Sequence, residues 1–295
     1  MSYHSTTAVL YGRFIEAAYE MYENDPNNIT PAQPSDFPAG YTVTAWVQMK
    51  DFFIFGSTGP VFYGFIAHSN TDPKQAILAI RGTDDGIEWW DDVNSLGLEP
   101  FVVPNCGNVG IGWENIFLTL ELVPVPPAGQ AMMSLKPVGR FSAQVREHLL
   151  RHAASALGPN TNAMPHAIAM TGHSLGAALV TLCAAENSIL YKDQVLVEAL
   201  YTFASPKVGD GGFVAAFNKL GLDSWRIVNQ QDIVPNLPCL FYEHVNALRQ
   251  YNSTGKVQQN FSCWHAMATY LSLIDSALKP DPLCQLSARS GGAST

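Results

Sequence analysis

Charge is what this chain has least of. Only 14% of its 295 residues are Asp, Glu, Lys or Arg, and the formal net charge is −9. The 16 Lys and Arg residues form no stripe that could neutralise a run of phosphates, which argues against a nucleic-acid partner. The same balance disfavours electrostatic docking on an anionic membrane. Long apolar runs are missing too: no stretch of 18 apolar residues exists, so no transmembrane segment is expected. Met1 to Thr7 lacks a basic residue, and Arg13, Glu16 and Glu20 interrupt the stretch from Ala8 to Tyr22, so no signal-peptide pattern is visible. An intracellular location is the default expectation, with secretion by a route these residues do not reveal as the alternative. The five cysteines show no metal-ligand spacing, and neither a metal nor a cofactor is expected. Cys183 reads as a core residue. Cys106, Cys239, Cys263 and Cys284 allow two bridges in an oxidising compartment, with the pairing open.

What is present is apolar mass. Hydrophobic residues make up 47% of the chain, ample for a large core. A surface short of charge suits a protein that handles apolar substrates. Residues 7–23 read as an amphipathic helix, with Ala8, Ile15, Ala18 and Tyr22 on or near one face and Glu16, Glu20 and Glu23 off it. Strand-like segments come next at Tyr41–Met49, Asp51–Phe55, Val61–His68 and Gln75–Ile80, close enough in sequence for a meander. From Gln75 onward strands alternate with helices, as parallel crossovers require. Helices are expected around Trp113–Leu120 and over Phe141–Leu157, Gly211–Leu220 and Phe261–Leu278, and strands at Ala199–Ala204 and Trp225–Asn229. Val123–Arg140 carries four prolines and two adjacent methionines, and is too long for an ordinary connection. His148, His152 and His166 read as surface or helix-packing residues rather than ligands. The simplest organisation is one α/β domain over residues 1–284, with 285–295 as a tail.

One stretch organises the rest. An apolar run from Ala167 to Thr171 leads into Gly172-His173-Ser174-Leu175-Gly176, and a small-residue helix starts at once. Strand, sharp turn and helix are the context of a nucleophile elbow. Glycines let the backbones approach, and the helix N-terminus offers unpaired N–H groups where an oxyanion would form. Ser174 is therefore the candidate nucleophile. A serine needs a base, and the base needs a carboxylate to hold its tautomer. In a parallel sheet these come in the order Ser, Asp, His on loops beyond later strands. Asp232 lies in the loop after the Trp225–Asn229 strand, and His265 opens the last helix; His244 is the rival base, on a polar loop without such an anchor. Thr83, after the strand ending at Ile80, and Leu175, directly after the serine, are the candidate oxyanion donors.

These residues resemble the class 3 lipases, a branch of the α/β-hydrolases. Arg81-Gly82-Thr83 is similar to the family's oxyanion motif, Gly172–Gly176 to its elbow, Thr202–Gly209 to the strand and loop after it, Asn229–Pro235 to the acid loop, and His265–Leu271 to the terminal histidine helix. The resemblance implies an α/β-hydrolase fold: a central mixed, mostly parallel sheet flanked by helices, a single domain with a lid segment. It implies Ser174, Asp232 and His265 as the triad, with Thr83 and Leu175 as the oxyanion hole. Trp89 and Asp92 fall where the family has a tryptophan and an aspartate in its lid. Ala177 and Ala204 depart from common glycines and Lys207 from a common arginine, none in a chemical role. Residues 84–95, with five acids and the pair Trp89-Trp90, are the candidate lid; the plainer reading is a helix whose tryptophans pack inward. The expected function is carboxylic ester hydrolysis by a triacylglycerol lipase or esterase, on a small-molecule or lipid ester, with a lipid–water interface as a candidate place of action. A phospholipase A1-like or feruloyl-type esterase is the alternative. A catalytically silent lipid- or partner-binding scaffold is the reading from another class.

Overall fold

The computed structural model describes residues 2–49, 59–83, 97–126, 139–158, 165–245 and 247–286. The strand expected at Asp51–Phe55 and the lid segment 84–95, with Trp89, Trp90 and Asp92, lie outside the described residues. So do residues 127–138 of the proline-rich stretch and 287–295 of the tail. The chain opens with α1 (Ser5–Asn24), which buries Ala8, Phe14, Ile15, Ala18 and Met21. Strands β1 (Tyr41–Met49), β2 (Val61–Ser69) and β3 (Gln75–Ile80) form the expected antiparallel meander. Next come β4 (Leu98–Pro100) and β5 (Asn108–Gly110), a separate two-stranded sheet, then α2 (Ile111–Thr119), β6 (Leu120–Pro124) and α3 (Phe141–Leu157). The remainder alternates: β7 (His166–His173), α4 (Leu175–Leu190), β8 (Val195–Phe203), α5 (Gly211–Asn218), β9 (Asp223–Asn229), β10 (Leu248–Tyr251), α6 (Phe261–His265) and α7 (Met267–Ile274).

Among the described residues eight strands make the main sheet, in the order β10-β9-β8-β7-β3-β2-β1-β6. Pairing is parallel from β3 to β10 and antiparallel from β3 to β6. Side chains alternate across it. Ala76, Leu78 and Ile80 of β3 face the layer of α2, α3 and α4, while Ile77 and Ala79 face the layer of α1 and α7. Because both faces are covered, β2 reads as an unbroken buried run from Phe62 to His68. Helix α4 is mostly apolar and buried on every side from Leu175 to Asn187, as a helix inside a layer must be. Arg140, at the start of α3, pairs with Glu114 of α2 at 2.7 Å and with the fully buried Glu186 of α4. Among the described residues no helix is long and apolar enough to cross a membrane.

Strands β4, β5 and β10 were not expected from the sequence, and two further elements differ from that reading. Val123 and Pro124 end a strand at the sheet margin, where a proline without an N–H is tolerated. The single helix expected over 261–278 is two helices, broken at Ala266, whose ψ of 134° is extended.

The back of the sheet holds a histidine cluster. His68 stacks on His152 at 3.6 Å between ring centroids. Thr44 Oγ1 bridges His68 Nδ1 at 2.7 Å and His148 Nε2 at 2.9 Å. Burial first, then the neighbouring imidazoles, pushes His68 down to about 2; burial, then His152 and Arg151, pushes His148 down to about 3. Both rings are thus neutral in the folded protein, while in the unfolded chain each titrates near about 6.5. Below that pH the unfolded chain binds more protons, so stability must fall as pH drops, by roughly 1–2 kcal/mol per pH unit for each ring. Urea unfolding from pH 7.5 to 4.5 should show this decline; a flat profile would contradict the neutral cluster.

Candidate active site

Strands β3, β7, β8 and β9 are parallel, so their C-terminal ends share one edge of the sheet. Three segments leave that edge: Arg81–Thr83 after β3, Ser174 after β7, and the loop carrying Asp232 after β9. Parallel pairing is what gathers residues so far apart in sequence.

Ser174 sits at φ 56°, ψ −123°, a strained conformation for a residue with a side chain. The flanking glycines explain how the turn closes. A Cβ on Gly172 would lie 2.4 Å from the Gly176 carbonyl oxygen, and one on Gly176 would lie 2.2 Å from that of Ile80. Ser174 N–H donates to Phe203 O at 2.9 Å, which anchors the strained residue to β8. The serine is 2% exposed and lines a cavity of about 570 Å³.

His265 Nε2 lies 2.9 Å from Ser174 Oγ, and its Nδ1 lies 2.7 Å from Asp232 Oδ2. A carboxylate only accepts, so Nδ1 carries the proton, and Nε2 is left to accept from the serine hydroxyl. Asp232 is 1% exposed; Val234 N–H donates to its Oδ1 at 3.0 Å and Tyr270 O–H to its Oδ2 at 2.8 Å. These bonds offset the desolvation of a buried carboxylate. Burial and then the Asp232 charge push the Tyr270 phenol well up, so it remains a donor.

The helix break serves the same ring. With Ala266 extended, two main-chain carbonyls lose their helical partners and side chains take their place. Asn229 Nδ2 donates to Trp264 O at 2.9 Å, and His173 Nε2 donates to His265 O at 2.8 Å. Asn260 caps α6 by accepting from Cys263 N–H at 3.0 Å, and Cys263 is bridged to Cys284. One bridge forms where two were allowed; Cys106 is half-buried, Cys183 buried and Cys239 exposed, all three free thiols.

The two expected oxyanion donors lie beside the serine. Leu175 is the first residue of α4, so its N–H has no partner within the helix. A Cβ on Gly82 would lie 2.9 Å from Ser174 Cβ, and Thr83, next in the chain, lines the same cavity. The structure therefore brings together Ser174, His265, Asp232, Thr83 and Leu175. It does not bring in His244, whose Nε2 donates to Pro235 O at 2.6 Å and which burial, then Arg226, pushes down to about 3.

Sequence reasoning missed the walls. Glu16, Glu20 and Glu23 of α1 line the cavity with Asp36 and Asp281, and its described lining holds no Lys or Arg. Helical periodicity placed these glutamates off the apolar face of α1, yet nothing in it says what lies opposite. Tyr270 lay inside the motif around His265, but only the structure gives it a partner.

A profile of the class 3 lipases matches residues 77–242, more than half the chain. The chain belongs to this family. Similar proteins include phospholipase A(1) DAD1 of Arabidopsis thaliana, 24% identical over 264 residues, covering 79% of this chain and 56% of its own length. Phospholipase A1-II 3 of Oryza sativa subsp. indica is 32% identical over 194 residues, covering 61% of this chain and 42% of its own. The chain thus spans about half the length of the relatives it matches. Among solved structures, Rhizomucor miehei lipase in its propeptide complex superposes with a TM-score of 0.57 at 18% identity, covering 83% of this chain and 68% of that one. The lipase fold, an α/β-hydrolase sheet flanked by helices, is therefore shared. Of the site residues, His265, Tyr270, Asp36, Asp281 and the α1 glutamates fall outside the matched segment.

The Cys263–Cys284 bridge closes a loop with a sequence separation of 21 that contains His265, two residues after Cys263. A Cys263→Ala/Cys284→Ala variant should lose about 3 kcal/mol of unfolding free energy in urea. A loss below about 1 kcal/mol would mean that the Asn260 and Asn229 side chains hold α6 without the bridge.

Proposed function

We propose that this chain is a carboxylic ester hydrolase working through a Ser174 acyl-enzyme. The observation that carries the reading is the continuous hydrogen-bond chain Ser174 Oγ–His265–Asp232, 2.9 and 2.7 Å long, at the wall of a cavity. His265 Nε2 takes the serine proton as Oγ attacks the acyl carbonyl, and Asp232 steadies the imidazolium that forms. The N–H groups of Thr83 and Leu175 receive the charge developing on the carbonyl oxygen, each such donor being worth about 10²–10³ in rate. His265 then protonates the departing alcohol, and a water repeats the sequence to release the acid.

The cavity wall bears on the substrate. Among the described residues five carboxylates, from Glu16, Glu20, Glu23, Asp36 and Asp281, line the cavity that Ser174 lines, and Arg13 is engaged by Glu16 at 2.7 Å. The sequence continues from Thr83 into two more acids, Asp84 and Asp85. Negative charge in a cleft repels anionic substrates and draws cationic ones, an effect that salt screens. The favoured substrates are neutral esters, acylglycerols foremost. The names of the plant relatives support a second reading, a phospholipase A1; the same charge argument restricts it to lipids whose outermost group is cationic, as in a choline headgroup.

Ser174→Ala should lower kcat on p-nitrophenyl butyrate by about 10⁵–10⁶ with unchanged unfolding. Turnover near the unsubstituted level would remove the serine mechanism. Choline butyrate should be hydrolysed about tenfold faster, as kcat/KM at low salt, than its uncharged isostere 3,3-dimethylbutyl butyrate, and the ratio should fall towards one in 0.5 M NaCl. A ratio of one at low salt, or an unchanged ratio in a Glu20→Gln/Asp36→Asn/Asp281→Asn variant, would refute the charge selection.

A further inference from the structure

Three hydrogen bonds beside the site take no part in the hydrolytic steps. Gly82 N–H donates to the Tyr19 hydroxyl oxygen at 2.9 Å. The same hydroxyl lies 2.8 Å from His173 Nδ1, and His173 Nε2 lies 2.8 Å from the main-chain oxygen of His265. One end of this chain is the loop carrying Thr83. The other is the backbone of the residue carrying the base.

The proton positions are set by what each atom can do. A carbonyl oxygen only accepts, so His173 Nε2 bears the proton. His173 is 3% exposed, with the His265 ring at 4.6 Å between centroids. Burial, and then His265, holds its pKa well below the ordinary histidine range, so the ring is neutral and Nδ1 is an acceptor. The Tyr19 hydroxyl therefore donates to Nδ1 while its oxygen accepts from Gly82. The order is Gly82 N–H to Tyr19, Tyr19 O–H to His173, His173 N–H to His265 C=O.

The oxyanion loop is gripped from its other side as well. Arg81 Nη1 donates to Gly82 O at 2.7 Å, and its guanidinium is fixed between the rings of Tyr22 and Tyr63, at 3.5 and 4.4 Å from their centroids. In a trans peptide the C=O of one residue and the N–H of the next lie in one plane and point opposite ways. Holding Gly82 O thus aims Thr83 N–H, and holding Gly82 N–H fixes the plane before it. Glycine at residue 82 permits this approach: a Cβ there would lie 2.6 Å from the Tyr19 hydroxyl and 2.9 Å from Ser174 Cβ.

We propose that Tyr19 is a positioning residue of the hydrolytic site: its hydroxyl locks the 81–82 peptide of the oxyanion loop and, through His173, the main chain of His265, setting donor and base against each other. This rests on the ester-hydrolase reading. It makes α1, which lies outside the segment matched by the class 3 lipases, a working part of the centre. Tyr19 acts on the site through Gly82 and His173, so its loss should loosen the transition state and leave ground-state binding alone.

The test is Tyr19→Phe in the full chain, which keeps the ring edge against His173, at 5.8 Å between centroids. With p-nitrophenyl butyrate, kcat should fall about 10–30-fold with KM within about twofold, and a boronic acid that forms a tetrahedral adduct on Ser174 should bind weaker by a similar factor. His173→Gln, whose amide offers both a donor for His265 O and an acceptor for Tyr19, should retain more activity than His173→Leu. Imidazole ¹⁵N shifts should report the Nε2–H tautomer at His173, with Nδ1 moving in Tyr19→Phe. Unchanged kcat and boronic-acid affinity, or a rise in KM that accounts for the whole loss, would overturn the proposal, and so would an Nδ1–H tautomer. If the unsubstituted protein hydrolyses no ester, the hydrolase reading fails, and the ¹⁵N shifts still decide whether the Tyr19–His173 chain exists.

Discussion

Main chain pressed against main chain at one edge of the sheet is the constraint on which the site depends. A side chain on Gly176 would meet the carbonyl oxygens of Ile80 and Arg81 at 2.2 and 2.5 Å. The first turn of α4 can therefore slide beneath the end of β3, and the N-terminus of a helix comes to share a small volume with the loop after that strand. Ser174 is the joint between strand and helix, and its φ of 56° is the consequence. Such a conformation costs about 1–3 kcal/mol and persists only where the surroundings over-determine it. Here β8 takes its N–H and α4 takes its carbonyl, since Ala177 N–H donates to Ser174 O at 3.0 Å.

A polar network is built outward from that joint, and it reuses groups that regular structure would have consumed. An unbroken helix over 261–274 would have paired the carbonyls of Trp264 and His265 internally. The break at Ala266 gives up those bonds, and Asn229 and His173 replace them. Asn229 is itself fully buried and held by Ser253, whose N–H donates to Asn229 Oδ1 at 3.1 Å. The imidazole of His265 is thereby fixed through its backbone as well as through Asp232. Fixing this candidate base by its main chain matters because a ring free to swing would satisfy the carboxylate in several orientations, only one of which reaches the serine.

How much of this was legible in the sequence depends on the range of the forces involved. Ser174, Asp232 and His265 could be read because each sits where a short apolar strand gives way to a loop or cap, and because a parallel sheet orders such loops. The bounds of β1, β3 and α3 agree with the expected ones, since turn residues or alternating apolar residues mark their ends. The break at Ala266 was not legible: no Gly or Pro interrupts 261–274, and helical propensity is overridden by tertiary bonds to distant side chains. Tyr19 and His173 are 154 residues apart, and an amphipathic pattern says which face is apolar without saying what the polar edge confronts. The Cys263–Cys284 pairing was open for the same reason, because only proximity in space separates it from its rivals. Strand β10 escaped notice because an edge strand of four largely exposed residues carries neither alternation nor a continuous apolar run.

The division of labour along the chain reflects the same distinction of range. Ser174, Leu175, Thr83 and Asp232 lie within residues 77–242, where the class 3 lipase profile matches, and they depend on ångström-scale contacts set by the sheet. The cavity wall is supplied largely from outside, by α1, by Asp36 and by the segment from Phe261 to Asp281. Carboxylates on that wall act through water over several ångströms, so exchanging one alters the field at the mouth without moving a reacting atom. Tyr19 sits on the same helix and breaks this separation, because its hydroxyl reaches into the contact-range network. A shift of α1 that re-aimed Glu16 and Glu20 would also pull on Gly82 and His173. On the proposed hydrolase reading, substrate preference would therefore change most easily through the charge of α1 and least easily through its position.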